Sequence, residues 1–340
     1  TPQRCDQLDS GIASYRNRSG DYLLFRASPF GYRDCGHSHD APTSFVFHFA
    51  GQPVFVDSGT GSYTVSRDIR DRFRGAFGKN LLLVNGSGPS IPGDWFNWER
   101  KTDSVLTRAE RFPGGFLCRG RHEGFSPALG FRVEVSRELV LYDEGVLLII
   151  DEWDAEQPIS CRLALTLHPK LALTNVENGL EMRDDAGNSY CLSVHRLHPD
   201  ATIHTGPALL DFDSSAESSV PLSQAPFEEP SLASPASFEI SKGHYSENYG
   251  DVSETNYLLS DFGTSLSGCA VTIVSRVGTI TTFVDDANTG ALFAIKDYKP
   301  SFVESEIRCQ QTIVGSHDTD WIVAMIKGAE RAVVPSAVSV

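Results

Sequence analysis

The chain has 340 residues, of which 40% are hydrophobic and 21% charged, and a formal net charge of −15. That composition excludes a wholly disordered chain, and the negative balance argues against nucleic acid or an anionic membrane as partner. No apolar run approaches the ~18–20 residues that a transmembrane helix needs.

The chain opens on Thr-Pro-Gln-Arg, with neither an initiator methionine nor a secretory signal, as a processed product or an excised piece would. Short runs rich in Val, Leu, Ile and Phe follow, punctuated by Gly, Asn, Asp and Pro. "DYLLFRAS" (21–28) comes first, then "GHSHD" (36–40), whose His37 and His39 would share one face if that stretch were extended. "TSFVFHFA" (43–50) and "PVFVDSG" (53–59) read as a hairpin turning at Ala50-Gly51-Gln52-Pro53, with Phe45, Phe47 and Phe49 on one face. That register sets Asp57 opposite Val46, so His39 reaches Asp57 only if the chain bends at Ala41-Pro42.

"RDIRDRFRGAFGK" (67–79) is a basic patch, expected as a loop, in which Arg67, Arg70, Arg72, Arg74 and Lys79 outnumber Asp68 and Asp71. "NLLLVNGSG" (80–88) is a strand, and "ELVLYDEGVLLIIDEW" (138–153) is two strands joined by a turn. "CRLALTLHP" (161–169) continues the pattern, as do "AVTIVSRVGTITTFVDD" (270–286), "GALFAIKDY" (290–298) and "WIVAMIKG" (321–328). No amphipathic stretch reaches two or three helical turns with conventional caps.

Residues 211–238 hold 8 serines and 4 prolines in 28 residues and read as a surface excursion inside a single domain spanning 1–340. The fold class is all-β, a large antiparallel sandwich of more than a dozen strands. Seven scattered cysteines, with no CxxC, read as mostly free thiols.

Three blocks taken together, "GHSHDAPTSFVFHFAGQPVFVDSGTGSY" (36–63), "RFRGAFGKNLLLVNG" (72–86) and "GHYSENYG" (243–250), resemble the C-terminal β-sandwich domain of the heparinase II/III-like polysaccharide lyases. The resemblance implies a supersandwich that in the family follows an N-terminal α/α toroid, which this chain lacks. It implies β-elimination on uronate-containing acidic polysaccharides, with the substrate cleft between toroid and sandwich. By the resemblance His37 is the cleft histidine, neutralising the uronate carboxylate or assisting proton transfer, while the catalytic tyrosine is expected on the missing helical domain. Arg67, Arg70 and Arg74 are expected to hold acidic sugar, and Tyr63 to stack on it or fill the core. His39 and Asp57 match two ligands of a structural zinc found in some members. The third ligand position is Lys79, so no cofactor is expected, with zinc as a structural ion the alternative, and its ammonium is expected to take the metal's place beside Asp57.

Tyr245, Tyr249 and His48 are expected to pack structurally, and His122 and His244 are weaker site candidates. The family suggests a periplasmic or secreted protein. Two functions compete: half of a lyase, inactive or weak alone, or a stand-alone module that binds acidic glycans without chemistry. A sandwich-only enzyme is a third. Nothing in the chain separates glycosaminoglycan from alginate or capsular polymers as the ligand.

Overall fold

A computed structural model describes residues 3–7, 10–112, 114–143, 145–176, 179–197, 201–203, 236–276, 279–286, 290–296 and 322–328. The first five strands, β1 (Gln3–Gln7), β2 (Ile12–Arg16), β3 (Tyr22–Arg26), β4 (Ser44–Phe49) and β5 (Gln52–Phe55), form one antiparallel sheet in sequence order. Helix α1 (Arg67–Arg74) and strand β6 (Leu81–Val84) follow, then a two-stranded ribbon of β7 (Ile91–Pro92) and β8 (Trp98–Arg100).

The second, ten-stranded sheet is built from β9 (Val105–Phe112), β10 (Gly115–His122), β11 (Val133–Tyr142), β12 (Val146–Thr166), β13 (Ala172–Val176), β14 (Gly179–Arg183) and β15 (Ser189–Leu197). It also takes in β6 and two later strands. A short helix, α2 (Ser126–Leu129), joins β10 to β11. After β16 (Ala201–Ile203) come the two later strands, β17 (Phe238–Tyr245) and β18 (Ser253–Ser275). A four-stranded sheet orders β16 with β19 (Thr279–Asp286), β20 (Gly290–Lys296) and β21 (Ile322–Gly328).

The large sheet is held together by its longest strands. β12 pairs with β11 along its first half and with β6 near its end, while β18 runs antiparallel along almost all of it. The core lies between this sheet and the five-stranded one. Tyr15 of β2 stacks on Phe116 of β10 at 5.2 Å, and Phe49 of β4 stacks on Tyr190 of β15 at 5.1 Å. Stacked contacts of this kind add to plain area burial, so the two sheets are clamped at two separated points.

Alternation along β11 places Val133, Val135, Leu139 and Leu141 in that core, and on β12 it places Leu147, Ile149 and Trp153 there. The same inward rows carry Arg137 and Asp151, which face one another across the strand pair. The Arg137 guanidinium bonds Asp151 through Nε at 2.8 Å and Nη2 at 3.0 Å, and its Nη1 donates to the carbonyls of Thr43 and Asn80.

Two expectations need correction. The basic patch is a helix: the Ser66 hydroxyl accepts the Ile69 N–H at 3.1 Å, and Asp68 occupies the first turn with Arg72 and Arg74 in the last. Asp68, Arg72 and Arg74 then sit at the ends of the helix dipole that favour them, and buried Phe73 anchors the inner face. The hairpin register also differs, because a bulge between Phe47 and His48 pairs Phe47 with Phe55. Phe238 opens β17, while residues 211–235 of the Ser/Pro-rich stretch lie outside the described residues.

His122, at the end of β10, is structural. Its Nδ1 accepts the Gly124 N–H at 3.3 Å, and burial, reinforced by the Arg137 charge, pushes its pKa down to about 3. The folded value lies below the unfolded one, so this contribution is complete above the unfolded value and is lost as pH falls below it. Between pH 7 and pH 5 the native protein is expected to lose about 2 kcal/mol more stability than His122→Asn, whose amide oxygen can accept the same N–H. Urea unfolding at the two pH values checks this, and equal losses would refute it.

Candidate functional site

Residues 36–40 are not extended. The Ser38 N–H closes a turn on the Cys35 carbonyl at 2.9 Å, and Arg33 and Cys35 both take positive φ, 52° and 54°. This turn separates the two histidines. His37 is exposed and meets Tyr63 edge-on at 5.0 Å, with Phe96 at 6.2 Å. His39 is half-buried and feels Lys79 and Asp57 instead. The bend needed to bring it there exists at Ala41-Pro42, where the Ala41 N–H donates back to the His39 carbonyl at 2.9 Å.

Helix α1 brings its arginines to the same place, and they do different work. Arg70 is buried, with its guanidinium carbon 4.7 Å from the centre of the Tyr63 ring and 4.6 Å from that of Phe96. Its Nε donates to the Trp95 carbonyl and its Nη2 to the Gly36 carbonyl. Arg74 is also buried: it bonds the Asp71 carboxylate at 2.7 Å and the carbonyls of Asp94 at 2.9 Å and Asn97 at 3.1 Å. Both cations therefore spend their donors on the protein's own backbone and tie the 93–98 loop to α1. Arg67 reaches the Gly93 carbonyl, Asp71 and Asp94, yet 46% of its side chain remains exposed. Of the three it alone presents a guanidinium to solvent.

Tyr249 extends the aromatic cluster. Its ring lies 5.5 Å from Tyr63, its hydroxyl accepts the Tyr63 N–H at 3.3 Å, and the residue is 61% exposed, so it does not pack in the core as expected. A hydrogen bond with Ser62, helped by that amide, holds its phenol below the usual tyrosine value. Phe96, 46% exposed, completes the surface. Sequence reasoning passed over Phe96, although "GDWFNW" (93–98) is a turn unusually dense in aromatics. Tyr245 instead packs edge-on against His168, His48 against Tyr22, and His244 against Phe73.

Beneath this surface, Lys79 is wholly buried and donates to Asp57 Oδ1 at 2.6 Å and to Ser58 Oγ at 3.3 Å. Burial works to raise the Asp57 carboxyl, but Lys79 together with His39 and the Gly59 N–H outweighs it and holds the carboxyl below its usual range. His39 is pushed down to about 3, first by burial and then by Lys79, so its imidazole is neutral. Asp40 is buried with an N–H of Ser90 on Oδ2 at 3.2 Å, and burial lifts it to about 7. These residues do not suit a zinc ion. A charged ammonium has no lone pair to give, and no three His, Cys, Asp or Glu side chains converge on a point among the described residues.

A family model described as Heparinase II/III-like, C-terminal, matches residues 3–258. Among solved structures, a heparinase III is similar at a TM-score of 0.60 and 12% identity, covering 95% of this chain and 42% of its own. A heparinase III gene product is similar at 0.59 and 15%, covering 89% and 39%. Heparan sulfate lyase HepC from Pedobacter heparinus is similar at 0.58 and 11%, covering 97% and 43%. At such identities the likeness is one of fold, and this chain spans less than half the length of each. No curated protein matches.

Proposed function

Since the chain belongs to the heparinase II/III-like family through its C-terminal domain, we propose that it forms the sandwich wall of a cleft in which uronate-containing polysaccharide is cleaved by β-elimination. The observation that carries this reading is the cluster of His37, Tyr63, Phe96 and Tyr249 beside the exposed guanidinium of Arg67. Such a surface suits an acidic sugar: the rings offer flat apolar faces to a pyranose, and the fork of Arg67 matches a carboxylate or sulfate.

Elimination removes the C5 proton of the uronate, breaks the bond from C4 to the glycosidic oxygen, forms the C4–C5 double bond and returns a proton to the leaving oxygen. Charge on the carboxylate opposes the first step, so a cation or hydrogen-bond donor there lowers the barrier. His37 fills that role or assists the proton transfer, with Arg67 supporting it, while Arg70 and Arg74 hold the frame. The tyrosine acid or base is expected from a helical domain outside this chain, so the chain alone is expected to bind more than it cleaves.

Relatives named heparinase III and heparan sulfate lyase make heparan sulfate the first polymer to test, with alginate as comparison. Calorimetry is expected to show binding of acidic oligosaccharide, weakened at least about tenfold in Arg67→Ala and in His37→Ala. Absorbance of unsaturated uronate should stay near background. If it rises instead, it should fall about 100-fold in His37→Ala. Binding that is unchanged in His37→Ala favours the glycan-binding module, for which the exposed Phe96 and Tyr249 rings speak. No binding to any uronate polymer overturns both readings.

A further inference from the structure

The pair formed by Lys79 and Asp57 has a meaning beyond local stability. Lys79 follows the 3-10 turn Ala76–Gly78, to which its own N–H is tied at 3.0 Å through the Ala76 carbonyl. Asp57 belongs to the segment leaving β5, where the Ser58 N–H donates to the Gly78 carbonyl at 2.9 Å and the Ser246 N–H donates to the Ser58 carbonyl at 2.8 Å. Three pieces distant in sequence meet at this point: the end of the first sheet, the turn after α1, and the turn after β17. The histidine that follows the exposed one in "GHSH" lies close enough to feel both charges.

We infer that Lys79 is a built-in structural cation, which gives Asp57 the positive charge that a divalent ion would otherwise provide and makes this junction independent of metal. The argument is one of charge and space. A buried ammonium is tolerated only when paired, so Asp57, whose own side chain is 39% exposed, explains the burial of Lys79. Lys79 leaves no exposed surface and bonds Asp57 at 2.6 Å, which fills the place on that carboxylate where a cation would coordinate. Its charge repels any second cation arriving there. By the family resemblance His39 and Asp57 match two zinc ligands, and two side chains fall short of the four ligands a structural zinc takes.

The inference stands apart from the proposed reaction and is tested without it. Purified protein is expected to carry well below one zinc per chain by elemental analysis and to melt at the same temperature with EDTA, with added zinc or with neither. Stoichiometric zinc, or a fall in Tm with EDTA, overturns it. Lys79→Met keeps the length of the side chain and removes the charge, and should lower Tm by at least about 5 °C. An unchanged Tm would mean that the ammonium holds nothing. Lys79→His restores an imidazole beside His39 and Asp57. It is expected to take up about one zinc per chain and to gain Tm with zinc, and adding His39→Ala should abolish both effects. If Lys79→His keeps its near-ultraviolet circular dichroism but binds no zinc, the ammonium does not stand at a metal position. Should that variant fail to fold, the chelation experiment and Lys79→Met decide the matter.

Discussion

Arg137→Leu is expected to destabilise the protein by about 3–5 kcal/mol, and Asp151→Leu by a similar amount, because each leaves a charge buried without its partner. Both side chains are essentially inaccessible, at 0% and 2% exposure, in the middle of otherwise apolar rows. The two losses should not add. In Arg137→Leu/Asp151→Leu the stranded charge is gone, and the part of the penalty due to that charge goes with it. Full recovery is not expected, since the carbonyls of Thr43 and Asn80 lose their shared donor, at a cost of about 1–3 kcal/mol each for a buried group left unpaired. Burial already raises the Asp151 carboxyl despite its partner, and removing Arg137 raises it further. A group raised on folding loses its stabilising contribution as pH rises, so the Arg137→Leu deficit should grow from acid toward neutral pH. Guanidinium unfolding of the four proteins gives the coupling energy. Strict additivity would show that the pair is not a unit.

Asn80→Leu, which keeps the side-chain volume, should cost about 3–9 kcal/mol if each of three backbone groups loses its buried partner at about 1–3 kcal/mol. Its Nδ2 donates to the carbonyls of Phe45 at 2.6 Å and Val56 at 3.2 Å, while its Oδ1 accepts the Thr166 N–H at 2.7 Å. One fully buried amide thus links β4, the segment after β5 and the end of β12, across both sheets. Asn80→Asp keeps the acceptor but turns a carboxylate toward two carbonyls, so it should fare no better. Hydrogen exchange supplies a second readout, in which the Thr166 amide becomes much faster than its strand neighbours. A loss under about 1 kcal/mol would mean that water or a shift of the chain replaces these bonds.

What the sequence disclosed follows from how local each feature is. The hairpin of β4 and β5 was readable because buried Phe45, Phe47 and Phe49 alternate with the less buried Val46 and His48, a pattern that needs no distant partner. Its register was not, because a bulge is a local backbone choice with no signature in "HFAGQPVF". Helix α1 escaped notice since its eight residues carry little apolar periodicity, and only the Ser66 cap announced it. The pairing of Arg137 with Asp151 was visible in principle, as two charges standing on the inward rows of "RVEVSRELVLY" and "VLLIIDEW". Of the aromatic surface, only Tyr63 and the aromatic density of "GDWFNW" were legible. Tyr249 reaches the Tyr63 amide from 186 residues away, and only tertiary structure sets such a distance.

The cage around Arg70 bears on the thermodynamics of any ligand that settles on this surface. Its guanidinium grips the backbone on either side, at Gly36 and Trp95, and lies against the rings of Tyr63 and Phe96. Those rings have therefore surrendered much of their rotational freedom before any sugar arrives. An immobilised side chain otherwise costs an association about 0.5–1.5 kcal/mol. Here that entropy is lost during folding, so the encounter with a glycan resembles the docking of two rigid faces, and affinity lost in Arg70→Met should appear as a less favourable binding entropy.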